Sequence, residues 1–107
     1  MTMFPLPIYP VAAINATGTT QAAAAPLTGK LNVVTVIDVN TAVVAPAATP
    51  SDYFVAFNDG GGVMELFAAG SDEFIVGGVG EPVLQVAAGY SVMCLCIGDQ
   101  WIVFPSA

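Results

Sequence analysis

Three features of the sequence predict an all-β fold: a small antiparallel β-sandwich or barrel preceded by an extended N-terminal arm. Short runs rich in Val, Ile, Phe and Tyr recur from Leu31 onward, and such residues suit a pleated, half-buried surface. Clusters of Gly, Pro, Asn and Asp separate the runs at regular spacing, the punctuation of a sandwich or barrel. The one stretch that could start a helix, residues 22–25, is ended at once by Pro26, which cannot donate the helical hydrogen bond.

Residues 1–30 read as the arm. They hold Pro, Ala, Thr and Gly with no clear periodicity. Met3, Phe4, Leu6, Ile8 and Tyr9 make the first half too apolar for a free tail, so the arm is expected to order by lying on another surface. Residues 31–107 read as the β-domain. Strands are predicted over 31–38, 41–48, 53–58 and 63–68, with Asn58-Asp59-Gly60-Gly61-Gly62 as a hairpin loop between the last two. Further strands follow over 73–76, 83–87, 91–97 and 100–104, the final pair closed by a tight Gly98-Asp99 turn. Ala47-Ala48, Ala68-Ala69 and Ala87-Ala88 recur at strand ends as a weak internal echo of small residues at corners.

The faces of these strands carry the main inference about assembly. An antiparallel strand with one wet face alternates apolar and polar residues. Several strands here do not. Val92, Cys94 and Cys96 oppose Met93, Leu95 and Ile97; Trp101 and Val103 oppose Ile102 and Phe104; Val34 and Val36 oppose Val33 and Ile37. In so short a chain the second covering layer is expected from another subunit. Val92, Met93, Leu95, Ile97, Trp101 and Val103 are the candidate oligomer interface.

Composition points the same way. The chain is 56% hydrophobic and 8% charged, against about 25% charged in ordinary soluble domains, and so small a domain buries only about two-thirds of its unfolded surface. Lys30 is the single basic residue, there is no histidine, and the net charge is −7. Phosphate neutralisation needs Lys and Arg, so no nucleic-acid partner is expected. Histidine acid–base chemistry and arginine-assisted phosphoryl transfer lack their residues, so the chain is not expected to be an enzyme. The longest uncharged strand-rich run, residues 82–98, is interrupted by Gln85, Gly89 and Ser91 and has no basic flanks, which argues against a membrane span. The first residues are broken by Pro5, Pro7 and Pro10 and do not read as a signal peptide.

Cys94 and Cys96 read as small buried hydrophobes in a reducing compartment. Asp72-Glu73 and the Asp59-Gly60-Gly61 loop could help hold Ca²⁺ where copies converge on a symmetry axis. The loop lacks the alternating-acid spacing of a calcium loop, however, and no cofactor or metal is expected. Most of the eight acids sit in or beside predicted turns, as solvated carboxylates do. Trp101 reads as a core or interface anchor, with a sugar-stacking platform beside Tyr90 and Tyr53 as the alternative.

The stretch VVAPAATPSDYFVAFNDGGGVMELFAAGSDEFIVGG (43–78), followed by VAAGYSVMCLCIGDQWIVF (86–104), resembles small β-rich structural proteins of tailed bacteriophage particles. The closing strand pair carries Gly89, Ser91, Val92, Gly98, Trp101 and Val103, and NATGTTQAAAAPLTGKLNVVTV (15–36) is similar to the lead-in of such modules. The resemblance implies a virion protein, assembled in the host cytoplasm, that decorates or cements the capsid as a homotrimer. The major capsid protein would be its partner, and Phe4, Leu6, Ile8, Tyr9, Val11 and Ile14 would be a docking arm. A head- or tail-fibre tip that contacts host surface glycans is the alternative.

Overall fold

The computed structural model describes residues 10–37 and 39–105. Within them the chain is all-β apart from a single 3-10 turn, Gln21–Ala23, capped by the Thr20 hydroxyl. The strands are β1 (Val11–Asn15), β2 (Ala25–Pro26), β3 (Leu31–Thr35), β4 (Ala42–Val44), β5 (Tyr53–Asn58), β6 (Met64–Phe67), β7 (Phe74–Val76), β8 (Val79–Glu81), β9 (Val83–Val86), β10 (Ser91–Ile97) and β11 (Gln100–Pro105). All eight predicted strands are present.

Two sheets face each other. The larger runs β1-β3-β5-β10-β11-β7-β8 and the smaller β2-β4-β6-β9. From β1 to β6 the chain alternates between the sheets, and successive passes stack in parallel. Val11 pairs with Leu31 and Leu31 with Val55; opposite them, Ala25 pairs with Val43 and Val43 with Leu66. This is a short solenoid, each coil about twenty residues long. Antiparallel strands then close it: β9 joins β6, β10 joins β5, and β10 and β11 form the predicted hairpin.

Three expectations are corrected. The sheets are mixed, with β1-β3, β3-β5, β2-β4, β4-β6 and β11-β7 parallel, where an antiparallel sandwich was expected. The turn at 58–62 is not a hairpin: it is the corner that carries the chain from β5 in one sheet to β6 in the other. Among the described residues the first strand is already Val11–Asn15, so the boundary drawn at residue 30 falls inside the structure. Residues 11–30 form the first coil, and Ile14, Ala16 and Leu27 are buried in the common core.

The corners explain why the chain turns where it does. On one side Leu27, Ala45 and Ala68 follow β2, β4 and β6 in register, all buried; Leu27 N–H donates to Val44 O and Ala45 N–H to Phe67 O. The alanine echo is thus a stack of corners, but its members are Ala45 and Ala68, not Ala47 and Ala87. The opposite corner rests on Asn58, fully buried, whose side-chain amide donates to Gly62 O and Val86 O and whose carbonyl accepts from Gly60 N–H. Asn32 acts similarly at the start of β3, holding Gly29 through both its backbone groups and donating to Val55 O.

The core between the sheets holds Val34, Val43, Phe54, Met64, Leu66, Phe74 and Trp101, all at or below 1% exposure. The rings of Phe54 and Trp101 meet edge to face, 4.8 Å apart and at 80°, a favoured aromatic geometry.

Candidate functional site: an uncovered apolar sheet face

The strand alternation read from the sequence separates cleanly in the structure. Val92, Cys94, Cys96 and Trp101 point between the sheets and are buried, and Val103 packs against the same core. Met93, Leu95, Ile97, Ile102 and Phe104 point the other way, onto the outer face of the seven-stranded sheet. Of the six candidate interface residues, three therefore line the interior and three, Met93, Leu95 and Ile97, lie where a partner can reach them.

Register extends this outer face across the sheet. Val11, Leu31, Val55, Met93 and Phe104 form one continuous cross-strand row. Tyr53, Leu95, Ile102 and Ile75 form a second, and Ala13, Val33, Phe57 and Ser91 a third. No charged residue occupies these rows. Val11, Ile97 and Phe104 are 59%, 61% and 47% exposed. With strands about 4.8 Å apart and same-face residues about 6.6 Å apart along a strand, each of the thirteen positions in these rows covers about 32 Å². Together they cover about 400 Å² in projection, the size of the largest apolar patch on a typical monomer, which is often functional.

Charge is kept to the rim. Lys30 is ion-paired with Asp52 at the margin of the face, and its ammonium lies 5.1 Å from the centre of the Tyr53 ring. Asp52 also accepts the Tyr53 N–H at 2.8 Å. Asp72 accepts the Ala48 N–H at 2.8 Å and ties the β4–β5 connection to the turn after β6. Among the described residues no three His, Cys, Asp or Glu side chains cluster as metal ligands would, and no helix is long and apolar enough to cross a membrane.

The remaining sequence candidates fall as follows. Phe4, Leu6, Ile8 and Tyr9 lie outside the described residues. Val11 opens the first row of the face, and Ile14 is in the core, 8% exposed. Cys94 and Cys96 are free, buried and on one face, as small hydrophobes; burial pushes the Cys94 thiol up to about 12, and burial, then Asp72 and Asp99, raises that of Cys96. Trp101 is 0% exposed, so it anchors the core and offers no ring to a glycan. Tyr53 belongs to the outer face and Tyr90 to the far end of the sheet pair.

A second feature is not legible from the sequence. An apolar groove of about 330 Å³ opens between β9 and the ends of β7, β10 and β11, lined by Val76, Leu84, Val86, Tyr90, Val92 and Val103 among others. It exists because the smaller sheet stops at β9 while the larger continues to β8, a mismatch set by strand order and carried by no local motif. Comparison of the chain with family models, with curated proteins and with solved structures finds no match.

Proposed function

We propose that the protein is a structural subunit of a virus particle that assembles with copies of itself through the outer face of the seven-stranded sheet and decorates a bacteriophage head. The observation that supports it is the uncharged, three-row apolar face. Water contact with about 400 Å² of mostly aliphatic and aromatic surface is costly at about 25 cal/mol per Å², and covering it drives association. A protein that binds only the assembled shell stabilises that shell by mass action, and the acids gathered at turns keep the free surface of the assembly negative and repel DNA. The phage setting and the trimeric state come from the resemblance of residues 43–78 and 86–104.

Two measurements test this reading. Sedimentation of the full chain at micromolar concentration should give an oligomer, and Ile97→Lys with Met93→Lys should shift it to monomer while the circular dichroism of the strands is unchanged. A monomeric native chain, or a chain that instead partitions onto neutral phospholipid vesicles through this face, overturns it. Antibodies against the chain should label the head surface of purified particles; label confined to the tail, or absent, overturns the head assignment.

A further inference from the structure

The geometry points to a second docking site, the apolar groove beside the open edge of β9, which takes residues 4–8 of a neighbouring copy as an added strand. This inference rests on the self-assembly part of the function proposed above, but uses a different surface and a different segment.

β9 is the last strand of the smaller sheet. Its register with β6 determines which of its backbone groups are free. Ala68 N–H donates to Pro82 O, so the Leu66–Leu84 and Met64–Val86 pairs exchange hydrogen bonds, while Glu65–Gln85 and Phe67–Val83 are the alternate, non-bonded pairs. The N–H and C=O of Val83 and Gln85 therefore point away from β6, toward the open edge. An edge of this kind is a template for another strand. Directly beside it lies the groove of about 330 Å³, into which Leu84 and Val86 face from one sheet and Val92 and Val103 from the other.

Residues 4–8, Phe-Pro-Leu-Pro-Ile, have the complementary pattern. In an extended backbone Phe4, Leu6 and Ile8 share one face and direct their N–H groups to one edge. Pro5 and Pro7 face the opposite edge and carry no N–H. Such a segment can pair along one side only: it completes a sheet and does not propagate it. Added parallel to β9, the segment puts Phe4, Leu6 and Ile8 on the same face as Leu84 and Val86, so its apolar face matches the groove. Its lack of charge suits a site with none in its wall.

The donor must be another copy. The groove lies under β10 and β11, four strands from β1 in the larger sheet, a lateral distance of about 19 Å plus about 10 Å between sheets. Leu6 stands five residues before Val11 and reaches at most about 17 Å from it, and Ile8 about 10 Å. A chain cannot fill its own groove. Exchange from each copy to the next is a heterologous contact, which closes into a ring when the rotation permits.

Cysteine pairing in the full chain tests this. Leu6→Cys combined with Val76→Cys at the groove rim should give covalent dimers and higher species under mild oxidation, whereas either substitution alone, or Leu6→Cys with Val39→Cys on the β3–β4 turn, should not. Adding Gln85→Pro, which removes an N–H directed to the open edge and none that pairs with β6, should abolish the cross-link with strand content retained. Should that variant fail to fold, Ile8→Asp in the same double-cysteine chain serves the same purpose. A cross-link that survives Gln85→Pro in a folded chain, or Ile8→Asp, overturns the strand-addition geometry, and a disulfide formed only within one chain overturns exchange. Absence of the cross-link in a chain that still sediments as an oligomer overturns this inference and leaves the outer-face assembly standing. Absence in a monomeric chain overturns both.

Discussion

Gly60 sits directly against Val36, its counterpart at the same corner one coil earlier: a Cβ on Gly60 would lie 2.5 Å from the Val36 backbone nitrogen and 2.6 Å from its Cβ. The contact is backbone against backbone, so no side-chain rotation relieves it. Gly60→Ala is therefore expected to push two coils apart and to destabilise the chain by about 2 kcal/mol or more, within the range for overpacked sites. Gly61, one residue on, has nothing within 4 Å of its would-be Cβ and no positive φ. Gly61→Ala should be neutral or stabilise by about 0.5 kcal/mol through the unfolded chain. Urea midpoints of the two variants check the contrast, and equal midpoints would refute the corner packing.

Asn58 makes three hydrogen bonds from a fully buried side chain, joining β5 to its own corner and to Val86 of β9. Removing one partner from a buried bond leaves the other desolvated, at about 1–3 kcal/mol each. Asn58→Ala should thus cost about 3 kcal/mol or more, and Asn58→Asp at least as much at neutral pH, because two donors are lost and a carboxylate is buried. Acidification should restore part of the stability of Asn58→Asp and none of that of Asn58→Ala. Denaturation of both variants at pH 4 and pH 7 makes the comparison.

The strands and their two faces were legible because they depend on local composition. Val, Ile and aromatic residues at alternate positions place Cys94 and Met93 on opposite faces whatever strand lies next to them. With both faces apolar, however, the interior one was not legible, and Val92, Trp101 and Val103 of the candidate interface belong to the core. Strand order was not legible. Pairing Val11 with Leu31 and Leu31 with Val55 leaves no shared residue type to mark the coil: the inward stack Ile14, Val34, Asn58 changes from aliphatic to amide within three members. β1, β2 and β8 were missed for a related reason. Val-Ala-Ala-Ile-Asn, Ala-Pro and Val-Gly-Glu have little intrinsic strand character and are held by their neighbours. That a second apolar face must exist followed from alternation alone, while which face is outward and the groove beside β9 needed the strand order.

The two buried thiols make stability fall in alkali. Burial raises Cys94 from 9.0 to about 12, so between those values the unfolded chain has lost this proton and the folded chain keeps it. Stability is full below about pH 9 and declines as pH rises toward 12, with a limiting slope of about 1.4 kcal/mol per pH unit for one such group. Cys96 is shifted in the same direction and adds to the slope. Cys94→Ala should lower stability at pH 7 by its lost packing, yet flatten the dependence above pH 9. Urea midpoints from pH 8 to 10.5 measure the slope, and an unchanged slope in the variant would assign the alkaline loss to other groups.

Trp101 is the single tryptophan, wholly buried, and its indole Nε1 is the buried side-chain polar atom left without a hydrogen-bond partner among the described residues. The ring contributes packing against Phe54, while the N–H carries an uncompensated desolvation cost of about 1–3 kcal/mol. These two effects separate by substitution. Trp101→Ala removes the packing and should cost about 3–5 kcal/mol, the usual loss for a large core aromatic. Trp101→Phe keeps an aromatic ring against Phe54, removes the unpaired donor, and leaves a smaller void, so its cost should stay below about 2 kcal/mol. Circular dichroism follows all three chains, and in the native chain Trp101 fluorescence should report the same transition. Equal destabilisation by Phe and Ala would show that the indole N–H contributes to stability and that its burial carries no cost.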